Sequence, residues 1–265
     1  MPSTDDQPTP RRPIGIVYEH PEWFTPLFAE LDRRGIPYER IHANRLRYDP
    51  AVNELNYSLV VNRMSPSSWL REGGAAIFST LNYLSYLDEI GVPVINGTRS
   101  YQYEISKARQ LRLLEELNLP HPRARVINHP DEAVAAAEGL AYPVLVKPNV
   151  GGSGAGITSF DTPDDLRVGA DNGKLEFGPD HTALVQEHLP AEGDAIIRVE
   201  FLDGDYLYAI RLSLMPNSFN LCPADYCDLP GIADGVSGRG VPIEAYTPPP
   251  SVVNEAGRLL DATGA

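Results

Sequence analysis

Cysteine is close to absent from this sequence: Cys222 and Cys227 are the only two among 265 residues. That excludes a disulfide-built scaffold, and the pair does not have C-x-x-C spacing. With no further Cys/His set nearby, they read as ordinary reduced thiols. Long apolar runs are missing too. None approaches about 18 residues, and the N-terminus has no apolar signal region, so the expected location is cytoplasmic with no membrane partner. Positive charge is in deficit: Lys+Arg number 22 against 36 Asp+Glu, a net −14. This argues against a mainly electrostatic nucleic-acid or anionic-membrane surface, while leaving room for a local basic pocket that takes phosphates. No G-x-G-x-x-G follows the first strand-like run, and no G-K-[ST] closes a glycine loop, so dinucleotide and Walker A fingerprints are both lacking. No Ser-His-Asp or Cys-His combination stands out as a nucleophile.

What is present is an ordinary globular balance, 42% hydrophobic and 22% charged, in a chain long enough for two or three compact units. Residues 1–12 are polar and proline-rich and read as a disordered tail. Ile14–Tyr18 is a short apolar strand. Phe24, Leu27, Phe28 and Leu31 recur at helical spacing, and Gly35 can close that helix in a left-handed conformation. Strands are expected over 36–41, 58–61 and 92–95, with a helix over 74–90. This alternation predicts an open, mostly parallel α/β unit over residues 13–97.

The pattern then changes. Ile105, Ala108, Leu111, Leu114 and Leu117 line one face of an expected helix over 105–117, which Pro120 and Pro122 stop. Pro130, Asp131 and Glu132 begin a second, alanine-rich helix ending at Gly139. Strands are expected at 143–147 and 183–187. Ile197, Val199 and Phe201 alternate with Arg198 and Glu200 as in a half-buried strand. Asp203-Gly204 marks a hairpin turn into a return strand over 206–212. Residues 216–250 read as a long loop, unusual unless functional or mobile. Val252, Val253, Ala256, Leu259 and Leu260 mark a final helix.

The strongest chemical signal is Lys147, at the end of a buried strand, followed by the Gly151–Gly156 run GGSGAG. A glycine-rich loop lets backbone N–H groups approach phosphate oxygens, and an adjacent lysine adds a point charge. Glycine-rich stretches are also often plain turns, so the surroundings decide. INGTRSYQYEISKARQLRLLEELNLPHPRARVI, then YPVLVKPNVGGSGAGI, then LVQEHLP together resemble the ATP-grasp superfamily, nearest its RimK-type carboxylate–amine ligases. The resemblance runs from about Val94 to Leu212. It implies an α/β pre-ATP-grasp domain (13–97) followed by two α+β subdomains that clamp ATP, one over 98–185 and an incomplete one over 186–265.

The resemblance also implies roles. Lys107 is the first nucleotide-contacting lysine, and Lys147 contacts the α-phosphate and adenine. Gly152, Ser153, Gly154 and Gly156 belong to the loop over the β- and γ-phosphates. Gln186, Glu187 and Leu189 match the hinge beside adenine. Asp194 is the acid for the ribose hydroxyls, unless that position falls on Ile196 and the contact is lost. Arg198 and Arg211 are basic positions facing the phosphates or an acyl-phosphate. RimK-like proteins place an Asn-Arg pair where Asn62 and Arg63 stand, which implies that Arg63 meets the carboxylate substrate; His20 is a second candidate because it too follows a strand, where ligands collect in open α/β sheets. The family's magnesium-binding carboxylate and its Glu-x-Asn follow the last helix. Here the sequence stops at Ala265, so no metal ligand is expected in this chain and the sequence reads as part of a longer enzyme. Glu54-Leu55-Asn56 is a chance match in the N-terminal unit. The implied reaction joins a carboxylate to an amine with ATP and Mg2+. An amino acid or peptide is the implied substrate, and a homo-oligomer is an open possibility. A phosphotransferase and a non-catalytic nucleotide-binding scaffold remain alternatives. The segment Asn220–Cys227 (NLCPADYC) is given no role.

Overall fold

The computed structural model describes residues 11–264, apart from 21, 72, 153, 192, 194 and 214–242. Ser153, Asp194, both cysteines and the 220–227 segment therefore lie outside the described residues, as does most of the N-terminal tail.

The chain opens with a parallel four-stranded sheet. Its strands are β1 (Ile14–Tyr18), β2 (Tyr38–His42), β3 (Leu59–Asn62) and β4 (Val94–Ile95), in the order β2-β1-β3-β4. Alternation along β1 sends Ile16 to one face and Val17 to the other. Helix α1 (Thr25–Arg33) covers the first face, where Ile16 packs with Phe24 and Phe28. Helices α2 (Gly74–Glu89) and α3 (Thr98–Glu104) cover the second, where Val17 and Val60 meet Ile77, Leu84, Leu87 and Tyr101. Burying each such side chain contributes about 1.5–3 kcal/mol. Gly35 has φ +62° and closes α1 as its position in the sequence suggests.

The expected helix over 105–117 is in fact two helices. Ile105 caps α3, Ser106 accepts a hydrogen bond from the Arg109 N–H as an N-cap, and α4 runs Lys107–Glu116. The apolar stripe read from the sequence thus spans a helix break, and on α4 it is Leu113 that is buried. The alanine-rich helix is also shorter than expected: a 3-10 turn at Pro130–Glu132 leads into one turn of helix, α5 (Ala133–Ala136). A run this short gains few hydrogen bonds per fixed residue and relies on packing for stability.

A second, antiparallel sheet comprises β5 (Ala124–Ile127), β6 (Val144–Pro148), β7 (Thr158–Phe160) and β8 (Ala183–Glu187), ordered β5-β8-β6-β7. One face carries Val144, Val146, Ala183, Val185 and Phe160 into a core with α5 and with Leu166 of α6 (Pro163–Asp171). The opposite face carries Leu145, Lys147, Leu184 and Gln186.

The third sheet is β11-β10-β9, from β9 (Ala195–Leu202), β10 (Asp205–Ser213) and β11 (Ile243–Tyr246). Asp203 and Gly204 both have positive φ, +54° and +80°, as a tight hairpin requires. β11 corrects the reading of 216–250 as uninterrupted loop: Glu244 pairs with Arg211 on β10. The alternation expected along β9 is not matched by burial, since Ile197 is exposed while Arg198 and Glu200 are half-buried. A sheet three strands wide buries neither face fully. The last helix, α7 (Pro250–Thr263), packs on α3, α4 and β10.

Candidate nucleotide site and the adjoining cleft

The base of the glycine-rich loop is built around one residue that the sequence did not advertise. Asn149, buried just after β6, accepts hydrogen bonds at Oδ1 from the Ser106 hydroxyl (3.2 Å) and the Ala108 N–H (3.0 Å). Its Nδ2 donates to Asp180 Oδ2 at 2.7 Å. The N-terminus of α4 is thereby pinned to the start of the loop. Lys107, the first residue of α4, donates from Nζ to the carbonyls of Asn149 (3.2 Å) and Gly151 (3.1 Å).

Lys147 projects from β6 toward the same region. Burial lowers its ammonium from the usual lysine range to about 8. Lys107 is also pushed down to about 8, first by burial and then by the neighbouring Lys147 charge, with Asp180 acting weakly the other way. Lys147 has no hydrogen-bonded or ion-paired partner among the described residues. Two half-buried cations that repel each other at the foot of a glycine loop form a site short of negative charge. Gln186 lies on the same sheet face, diagonal to Lys147 across β6–β8 and so roughly 7–8 Å away. Its Oε1 is buried with no partner among the described residues, an acceptor awaiting a donor.

Glu187 sits differently. It faces away from Gln186, and its Oε1 accepts from the Arg123 guanidinium and the Ala141 N–H (2.8 Å). The Arg123 contact, and then the Ala141 N–H, hold its carboxyl below the usual carboxylate range. This carboxylate clamps the end of β8 to two flanking segments, and the Glu187 N–H also donates to the Arg123 carbonyl at 3.0 Å. Leu189, just beyond, is 58% exposed.

The loop itself needs glycine. Gly154 and Gly156 have φ +72° and +71°, and a Cβ on Gly156 would lie 2.9 Å from Pro148 Cγ. A Cβ on Gly151 would lie 3.0 Å from Trp69 Nε1, whose buried N–H has no partner among the described residues. Trp69 belongs to the 3-10 segment Pro66–Arg71 after β3, so the parallel unit touches the loop directly.

Next to the loop, Gly152 lines a cleft of about 330 Å³ at the C-terminal ends of the parallel strands. Its other walls include Trp23, Arg63, Ser67, Asn96 and Glu104. Asn62 and Asn96 exchange side-chain to carbonyl hydrogen bonds (3.1 and 3.2 Å), which lock the end of β3 to the residue after β4. The Arg63 guanidinium lies 5.9 Å from the Phe24 ring centroid. His20 is not one of the cleft-lining residues. Its ring stacks on Trp23 at 4.0 Å, and its Nδ1 accepts from the Glu22 and Trp23 N–H groups. Buried Glu19 and half-buried Arg71 form a two-bond pair (2.8 and 3.1 Å) that fixes the 3-10 segment to the end of β1.

Arg198 and Arg211 do not converge. Arg198 is paired with Ile210 and Arg211 with Ile197, so the two arginines occupy opposite faces of the β9–β10 hairpin. Arg198 leans toward Glu200 (3.9 Å), and Arg211 donates to the Gly193 carbonyl (3.3 Å).

Comparison with known proteins agrees with this arrangement. The family model for the carbamoyl-phosphate synthase L chain ATP-binding domain matches residues 106–189, from the cap of α4 to just past β8. Among solved structures, a RimK-domain ATP-grasp protein from Sphaerobacter thermophilus superposes with TM-score 0.64 at 17% identity, over 95% of this chain and 82% of that one. This chain has the ATP-grasp fold. The ATP-grasp ligase PsnB, solved with a minimal precursor, Mg and ADP, gives TM-score 0.56 at 21% identity, over 95% and 81% of the two chains. The macrocyclase MdnC from Microcystis aeruginosa, bound to its precursor peptide, gives 0.57 at 15%, over 95% and 83%.

Among the described residues of this ATP-grasp fold, no three His, Cys, Asp or Glu side chains cluster closely enough to hold a metal ion. No described helix is long and apolar enough to cross a membrane.

Proposed function

We propose that this protein is an ATP-dependent carboxylate–amine ligase. On this reading residues 98–185 and 186–265 enclose the nucleotide, and residues 13–97 present the substrate. The observation that carries it is the convergence of Lys107 and Lys147, both with lowered ammonium groups, at the foot of a glycine loop that also lines a substrate-sized cleft. The triphosphate supplies the missing negative charge. Lys147 and the backbone N–H groups of the loop hold its phosphates, and Lys107 braces the loop's base. Gln186 Oε1 receives a donor from the base. A substrate carboxylate, oriented by Arg63, attacks the γ-phosphorus: an O–P bond forms, the β–γ bridge breaks, and ADP leaves. An amine then attacks the acyl-phosphate carbon and phosphate departs. Chemistry of this kind depends on positioning and charge neutralisation and requires no protein nucleophile.

Calorimetric titration with ATP tests the nucleotide half. Binding by the unaltered chain that weakens by about 10- to 100-fold in Lys147→Ala is expected, the range for losing a charged hydrogen bond. Equal affinities in the two would remove the assignment. Product analysis tests the chemistry: an amide with ADP and phosphate supports the ligase, and a stable phosphoester with ADP would replace it with a phosphotransferase.

A further inference from the structure

Arg63 and Glu104 line the same cleft, yet no ion pair within 4.0 Å joins them. Glu104 has neither a hydrogen-bonded nor an ion-paired partner among the described residues. It is the last residue of α3, a helix anchored by Tyr101, which is fully buried and whose hydroxyl donates to the Ile77 carbonyl at 3.2 Å. Glu104 is an exposed residue whose place in the fold is on the wall of this cleft. Desolvation by the neighbouring protein raises its carboxyl above the usual carboxylate range, with the Arg63 charge pulling the other way. An acid and a base held apart on the walls of one cleft, beside the phosphate loop, match a ligand that carries both signs.

We propose that Glu104 is the residue that receives the amino group of the attacking substrate in this cleft. The inference deepens the ligase reading and rests on it for the acyl-phosphate, though not for amine binding itself. The incoming ammonium gives one proton to the Glu104 carboxylate. The freed nitrogen lone pair forms the C–N bond as the C–O bond to phosphate breaks. Phosphate leaves with that electron pair, and a second proton from nitrogen passes to it. A carboxyl group raised toward neutrality suits this proton transfer. Without a carboxylate at position 104, an ammonium in the cleft has no described counter-charge.

The test uses the full chain, with and without a non-hydrolysable ATP analogue, titrated calorimetrically with the twenty L-amino acids, their α-amides and their N-acetyl derivatives. At least one free amine should bind, and its N-acetyl form should bind about tenfold or more weakly, the loss expected when a charged contact goes. Glu104→Gln should shrink that discrimination to about threefold or less, because the amide keeps shape and hydrogen bonding but not charge. Glu104→Asp should restore part of it. The proposal is overturned if no free amine binds, if acetylation costs nothing, or if Glu104→Gln discriminates as well as the parent chain. ATP-analogue binding in the same experiment separates the two readings. Its absence counts against the ligase reading, whereas amine selection that survives it still stands on Glu104.

Discussion

At the scale of single residues, the two lysines make a pH prediction whose sign is fixed. Their ammonium groups sit near 8 in the free protein, and a bound triphosphate favours the charged forms and so raises both. ATP affinity should therefore be fully present below about pH 8 and fall as pH rises through the free-state value toward the bound-state one. Titrations across that range check it, and Lys147→Ala should flatten the curve. Glu187 is the residue expected at the adenine hinge. Its carboxylate is held by Arg123 and the Ala141 N–H, so Glu187→Ala should lower thermal stability and leave discrimination between ATP and GTP nearly unchanged. A large loss of adenine preference would return this side chain to the nucleotide.

At the scale of elements, the joint between α4 and β6 depends on Asn149. Three hydrogen bonds to Ser106, Ala108 and Asp180 converge on one buried amide. Asn149→Ala leaves buried partners unsatisfied at about 1–3 kcal/mol each, less where water enters. Chemical denaturation should show the lower stability, and ATP should bind more weakly because the loop loses its anchor. Gly156→Ala tests the loop itself. Its φ of +71° and the 2.9 Å approach to Pro148 Cγ combine backbone strain with a clash. Left-handed strain alone costs about 1–2 kcal/mol. Unchanged nucleotide affinity in a folded Gly156→Ala protein would show that the loop conformation is not needed for binding.

At the scale of the whole molecule, the parallel unit meets the glycine loop after β6 at Trp69, which packs on Gly151. The chain has two tryptophans, Trp23 and Trp69, and they stand at the cleft and the loop. With Trp23 replaced by Phe, ATP should change the emission of Trp69 if the loop shifts as it closes over phosphates. Silent emission under saturating ATP would mean that the contact with Gly151 is kept. The Glu19–Arg71 pair fixes the segment carrying Trp69. Arg71→Leu would strand a buried carboxylate, at about 3–5 kcal/mol for breaking one side of such a pair. A thermal melt should record this as a large loss of stability.

The sequence by itself determined the elements that rest on local pattern. β8 and α2 lie within a residue of their expected limits, Gly35 and Asp203-Gly204 turn where they should, and the resemblance of the segments between Val94 and Leu212 to the ATP-grasp superfamily pointed to the fold. Periodicity and turn chemistry are short-range properties, so they are written in neighbouring residues. The tertiary structure alone decided what depends on which faces meet. It broke the stripe over 105–117 at Ser106, and it joined β11 to β10 across residues that read as loop. It turned Glu187 inward while leaving Gln186 on the sheet face of Lys147, and it set Arg198 and Arg211 on opposite sides of a hairpin. It also brought Glu104, at the end of α3, to the cleft that Arg63 lines, a juxtaposition across 41 positions of sequence that no spacing rule encodes. Strand parity, burial and long-range charge are properties of assembled neighbours, and the linear sequence carries them only once it has folded.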